Sequence, residues 1–344
     1  MATTVLWAGG EDIDFSNVGA ITYDQTATHF DGTKARGAIV VPDASGVTQA
    51  SVGNAVAFTA ASTLWVHANS YVGGGIFTDN NICIALTDAS GVERFQIGML
   101  NGSGGGSQVS LVKQDGAGHS TTLITGSLQI AADVLEPFDV AVTMASAGGS
   151  FAFYQNNTLL ASFSGNTLTD NQTTLTGFLL GSINQSGAST YYSEVIAANG
   201  DTRSMRLNTT IASGLGNTNT WTVNGGSSAW QNVSQWVTSN NINIAVAASS
   251  QLAEFTTSTL VSGAWAVAAV VTSAYALAGT SGGPQHIAHV IRTAATDYSG
   301  ATLPLLSSLQ NSKVVWSSNP STGNNWQQSD ITNPGFNFGV VSEP

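Results

Sequence analysis

The chain reads as an all-β protein of two domains, and three observations predict it. Apolar residues alternate with polar or small ones at a period of two, turn signals recur at short intervals, and capped helical periodicity is hard to find anywhere. The length of 344 residues exceeds what one hydrophobic core usually organises, so two cores are expected.

The strands follow in order. Phe138, Val140, Val142 and Met144 share one face of a strand whose other face holds Asp139, Ala141 and Thr143. Ile242 to Val246 repeats the pattern. Phe95 to Leu100 and Val109 to Val112 read as a hairpin whose apex is the glycine-rich 101–107 segment. Leu260 to Ala278 runs without a charge, close to the length that spans a bilayer. Alternation of Trp265, Val267, Ala269, Val271, Ser273 and Tyr275 with smaller residues predicts a strand there instead. Beyond Arg203 the composition changes and six of the eight tryptophans follow, which places the domains at 1–203 and 204–344.

Charge excludes several functions. Charged residues make up 8% of the chain, eight basic and twenty acidic, where about a quarter is ordinary. Three lysines and five arginines, scattered singly against a net charge of -12, leave little to neutralise phosphates, so neither nucleic acid nor an anionic membrane is an expected partner. The N-terminal Met1 to Trp7 stretch lacks the basic and apolar regions of a Sec signal, which predicts synthesis in a cytoplasm without export by that route. Cys83, the single cysteine, lies in an apolar run and reads as a buried small residue.

Catalytic patterns are sparse. A jelly-roll glycosidase presents a Glu-x-Asp-x-Glu strand, and Glu11-Asp12-Ile13-Asp14 has the wrong spacing, while Glu93, Glu136 and Glu194 stand alone. Glu11, Asp12 and Asp14 are weak candidates for calcium, since clustered hard oxygens suit that ion, against the plainer reading of a solvated loop. His286 and His289, three apart on a strand, point to opposite faces and cannot share a metal. No phosphate-cradling loop or nucleophile elbow is present, so neither a cofactor nor an activity is expected. Trp221, Trp230 and Trp236, set among Gly, Asn, Ser and Gln, are weak candidates for contact with a partner or a glycan. Trp265 and Trp316, inside apolar runs, are expected in the core.

The stretch Phe138 to Leu159, with Phe151, Phe153, Tyr154 and Asn157, resembles the back half of a laminin-G-like or concanavalin A-like jelly roll. The segments Gly177-Phe178-Leu179-Leu180-Gly181 and Tyr192-Ser193-Glu194-Val195-Ile196 extend that resemblance. In that family a hairpin reads Tyr-x-Asn-Gly-x-Leu, and here Asn157-Thr158 stands where Asn-Gly is usual. The resemblance implies an N-terminal jelly roll, followed by a smaller C-terminal β-sandwich.

Joined to Asp201, Arg203, Arg206 and the Gly/Asn-rich turns around Trp221, the pattern is similar to the two-part virion proteins of tailed bacteriophages, displayed as capsid decoration, head fibre or tail fibre. That resemblance implies a non-enzymatic structural protein, made in the host cytoplasm and carried on the virion. Its partners would be its own copies, as a dimer or trimer, and other virion proteins. A surface poor in long charged side chains suits such contacts. The alternative is a carbohydrate-binding adhesin that meets a host surface glycan, and a polysaccharide hydrolase ranks below both.

Overall fold

A computed structural model describes residues 3–26, 28–42, 50–73, 81–101, 107–131, 133–182, 189–225, 228–234, 243–279 and 283–344. The chain is all-β and divides into two units, Met1–Thr209 and Thr210–Pro344. The division lies beyond the Arg203 boundary expected from composition, because residues 204–209 stay with the first unit, where Arg206 is bonded to Glu194.

The first unit contributes strands β1 (Val5–Gly9), β2 (Phe15–Val18), β3 (Thr22–Asp24), β4 (Ala38–Val41) and β5 (Ser51–Asn54). The long strands β6 (Thr63–Val72), β7 (Asn81–Thr87), β8 (Glu93–Asn101), β9 (Ser107–Gln114) and β10 (Ser120–Gln129) follow. The last five are β11 (Leu135–Thr143), β12 (Gly149–Gln155), β13 (Thr158–Gly165), β14 (Gly177–Gly181) and β15 (Thr190–Ala198). They form two antiparallel sheets, ordered β13-β12-β11-β6-β15-β4-β3 with β1 also on β15, and β10-β9-β8-β7-β14-β5-β2. The order is non-sequential, as in a jelly roll, so strands distant in sequence lie side by side.

Alternation fills the space between the sheets. Leu64, Val66 and Ala68 of β6, Phe138, Val140 and Val142 of β11, and Phe151 and Phe153 of β12 meet Ile84, Leu86, Phe95, Ile97, Val109, Leu111 and Phe178 in one buried cluster. Each large side chain so buried contributes roughly 1.5–3 kcal/mol. Cys83 lies in this core, its thiol donates to the Ile97 carbonyl at 3.2 Å, and burial pushes its pKa up to about 12. The turn between β12 and β13 carries Asn156 and Asn157 at φ 47° and 62°, so the left-handed turn pair is Asn156-Asn157, one residue before the Asn157-Thr158 expected there, and Thr158 already begins β13.

The second unit contains β16 (Ala212–Asn219), β17 (Thr222–Asn224), helix α1 (Ala229–Val233), β18 (Asn243–Ala245) and β19 (Leu252–Thr257). It continues with β20 (Val270–Ala276), β21 (His286–Thr293), β22 (Thr296–Pro304), β23 (Gln310–Trp316), helix α2 (Gln328–Thr332) and β24 (Asn337–Glu343). Among the described residues these make a five-stranded sheet, β16-β19-β24-β21-β22, with the two-stranded pairs β17-β18 and β20-β23. His289 of β21 bonds to Thr272 and Ser312 at 2.9 and 3.0 Å, tying the five-stranded sheet to the β20-β23 ribbon.

The strand expected from Leu260 to Ala278 forms only from Val270. Its partner strand ends at Trp316, opposite Val270, and the chain then folds back so that Asn319 and Asn324 bond to each other. Residues before Val270 therefore have no ladder to join among the described residues. Trp316 packs on a buried cluster of Ile291, Trp326 and Phe336, as expected of it. Trp265 is half-buried and bonds through its indole N–H to the Val261 carbonyl at 3.1 Å.

Candidate functional site

The outer face of the eight-stranded sheet gathers the chemistry of the first unit. Along β6 the residues that alternate with the core row are Trp65, His67, Asn69 and Tyr71. Neighbouring strands add Asp139 and Ala141 of β11, Tyr154 and Ala152 of β12, and Tyr191 and Glu194 of β15. The segment after β15 lies on the middle of this face. There Thr202 donates to Asp139 at 2.6 Å, and Asp139 in turn lies 3.0 Å from His67 Nδ1. Asp139, His67 and Thr202 are buried, and the His67 Nε2 atom meets no hydrogen-bond partner among the described residues.

Glu194 is the strained residue of this face. It adopts φ 54° at a bulge in β15, between Ser193 and Ile196, and is fully buried. Non-glycine residues held there cost on the order of 1 kcal/mol or more, and bulges of this kind re-aim a side chain. Here the re-aimed carboxylate accepts from Arg206 Nε at 2.7 Å, from Arg206 Nη2 at 2.6 Å and from Asn69 at 3.3 Å. Arg206 also reaches Asp31 at 3.1 Å. Burial pulls the Asp31 carboxyl upward, but hydrogen bonds from Lys34 and Thr33 outweigh it and hold it below the usual range.

Two half-buried rings mark the Trp65 end. Small Ala141 lies between Trp65 and the β12 strand, so Tyr154 leans over it towards the indole. The ring planes are 14° from parallel with centroids 5.8 Å apart. Arg203 places its guanidinium carbon 4.7 Å from the Tyr154 centroid and 5.6 Å from that of Trp65. Asp201 accepts from Arg203 Nε and Nη2 at 3.0 and 2.5 Å, and these bonds raise the arginine pKa further. Nη1 lies outside that fork.

The residues expected from sequence lie elsewhere. Glu11, Asp12 and Asp14 form a half-buried turn rather than a solvated loop. Asp14 is buried and accepts from the Gly10 and Glu11 amides at 2.9 and 3.0 Å, Asp12 accepts from Ile13 at 2.8 Å, and Glu11 pairs with Arg36 at 3.2 Å. Burial pushes Glu11 up to about 8 against the pull of Arg36, with Asp14 and Asp12 adding to the rise. Among the described residues no three or more His, Cys, Asp and Glu side chains are grouped to hold a metal.

Trp221 and Trp230 pack against the second unit's buried Ala212, Ala229, Ala253 and Phe255, and the Trp221 indole donates to the Gln251 carbonyl at 2.9 Å. They add volume to a core whose buried members are three alanines and Phe255. Trp236 lies outside the described residues. His286 and His289 fall on opposite faces of β21, as their spacing requires: His289 faces the ribbon and burial lowers its pKa to about 4, while His286 contacts Pro344. No helix among the described residues is long and apolar enough to cross a membrane.

Sequence reading missed Trp65 and Arg203. The signal was present, since Thr63 to Val72 alternates with an aromatic residue at each end of its polar row. What it lacked was any mark that Tyr154 and Arg203 would arrive beside Trp65.

No family model matches the chain, and no curated protein matches it. Solved structures do. The cellulose-induced protein Cip1 is 11% identical over 58% of this chain and 98% of its own, with a TM-score of 0.39. The carbohydrate recognition domain of Emp47p is 12% identical over 55% of this chain and 89% of its own, also at 0.39. An endo-beta-1,4-glucuronan lyase from the fungus Trichoderma reesei is 11% identical over 58% of this chain and 95% of its own, at 0.37.

Proposed function

We propose that the first unit binds carbohydrate on the outer face of its eight-stranded sheet and that the chain is not an enzyme. The observation that carries this reading is the Trp65, Tyr154 and Arg203 group. Near-parallel rings offer an apolar surface to the C–H face of a sugar, and a guanidinium fixed in plane by Asp201 keeps Nη1 donors for hydroxyl groups. The carboxylates nearby support binding over hydrolysis. Glycoside cleavage needs two carboxyl groups presented to one bond, and here Asp139 and Glu194 are buried and engaged by His67, Thr202, Asn69 and Arg206.

Glycan-array screening of the whole protein followed by titration calorimetry tests this. Trp65→Ala is expected to weaken binding about tenfold, the scale of one lost stacking contact. Silence across the array, or a Trp65→Ala protein that binds as well as wild type, sets the reading aside.

A second reading, assembly through self-contact as a dimer or trimer on a virion of tailed-phage type, is favoured by a different observation. Large exposed apolar side chains concentrate in the second unit, with Leu306 55%, Leu215 54%, Leu277 45% and Leu309 45% exposed. Ala278 bonds to the Leu306 carbonyl at 2.7 Å, so three of these leucines sit near the end of the β20-β23 ribbon. Light scattering during size exclusion is expected to give a dimer or trimer that Leu306→Ser dissociates. A monomer at all concentrations argues against assembly and leaves carbohydrate binding untouched.

A further inference from the structure

The polar row of β6 ends in a second aromatic group. Tyr71 pairs in register with Tyr191 of β15, their ring centroids 5.8 Å apart. His29 stacks on Tyr191 at 3.8 Å between centroids and lies 4.7 Å from Tyr71. Its Nδ1 is 2.6 Å from the Asp24 carboxylate, and the Tyr71 hydroxyl donates to Asp133 at 3.3 Å. His29, Tyr71 and Tyr191 are all half-buried.

Trp65 and Tyr71 stand six residues apart on one side of one strand, which separates them by about 20 Å. Thr202 and Arg206 fill the face between them through their bonds to Asp139 and Glu194. A ligand that touches both aromatic ends must therefore be an extended chain that runs over this segment.

Charge narrows the kind of chain. The cations of this face are Lys34, Arg203 and Arg206, and each is already paired, with Asp31, Asp201 and Glu194 in turn. Asp24, Asp133 and Asp139 add further carboxylates, so the face carries more acidic than basic groups. Such a surface repels polyanions.

We infer that Trp65–Tyr154–Arg203 and His29–Tyr71–Tyr191 are two subsites for a single extended, uncharged polysaccharide. The inference rests on the carbohydrate reading and sharpens it to a ligand class.

Calorimetry on the whole protein tests it with cello-, manno- and xylo-oligosaccharides from disaccharide to hexasaccharide, and with alginate oligomers as the polyanionic probe. One neutral series is expected to gain about tenfold in affinity between disaccharide and hexasaccharide, with alginate weaker than that hexasaccharide. Tyr191→Ala is expected to remove the gain and leave the disaccharide unaffected. Because Tyr191 also packs on Phe30, Ala35 and Ala38, His29→Ala serves as a gentler variant with the same expected result. Affinity that ignores length, a hexasaccharide indifferent to His29→Ala, or tighter binding of alginate overturns the two-subsite inference while carbohydrate binding stands. Silence of every series overturns both.

Discussion

Arg206→Leu is expected to destabilise the first unit by about 3 kcal/mol, read as a loss in the midpoint of its denaturant transition. Glu194 is the reason. Its side chain is inaccessible to water and takes two hydrogen bonds from Arg206 and a longer one from Asn69. Removing one partner of a buried ion pair strands the other, which costs roughly 3–5 kcal/mol, far above the value of an exposed pair. The lower end applies, because the Arg206 side chain is 41% exposed and water can follow its removal.

The strained backbone at Glu194 adds to the expectation, since a φ of 54° persists only while the surroundings hold it. Glu194→Gln combined with Arg206→Leu should recover at least half the loss, because an amide is less costly to bury than a carboxylate. An Arg206→Leu protein within about 0.5 kcal/mol of wild type, the range of an ordinary surface change, would show that the pair does not anchor the segment over the sheet.

That segment also shows where the sequence stopped being legible. Phe138 to Met144 declared a strand by alternation and became β11, and the family pattern marked a hairpin turn that formed at positive φ on Asn156-Asn157, one residue before the expected Asn157-Thr158. These are local facts, fixed by a few adjacent residues. The polar network is not local: His67 meets Asp139 across 72 positions, Thr202 meets Asp139 across 63, and Trp65 meets Tyr154 only because β11 lies between their strands. Strand order and register decide such contacts, and alternation alone carries neither.

The tryptophans are ambiguous in sequence for a related reason. Polar neighbours in sequence leave Trp221 and Trp230 open to partner or glycan contact as well as to packing, and both are half-buried against a core whose buried members are three alanines and one phenylalanine, so the indoles supply much of its volume. The stretch before Val270 shows the converse, with alternation present and a partner strand missing.

The stabilities of the two units are expected to move in opposite directions with pH. Glu11, in the first unit, is held up to about 8 chiefly by burial, whereas it titrates near 4.5 when unfolded. A carboxyl raised by folding binds its proton more tightly in the native state. Its contribution is complete below about pH 4.5 and is lost as pH climbs through about 8. His289, in the second unit, is lowered to about 4 by burial, with Lys313 adding to the effect, from an unfolded value of 6.5. Its contribution is complete above pH 6.5 and is lost as pH falls through about 4, where the buried imidazole must gain a charge between Thr272 and Ser312. The contribution is on the order of 5 kcal/mol for Glu11 and on the order of 3 kcal/mol for His289. Calorimetric melts at pH 5, 6.5 and 8 should therefore show the first unit's transition falling throughout and the second unit's rising between pH 5 and 6.5 and then levelling. Glu11→Gln should flatten the falling transition and raise it most at pH 8, while His289→Gln should flatten the rising one alone. Two transitions that move together, or a Glu11→Gln protein that keeps the wild-type slope, would mean that Arg36 holds Glu11 ionised in the fold.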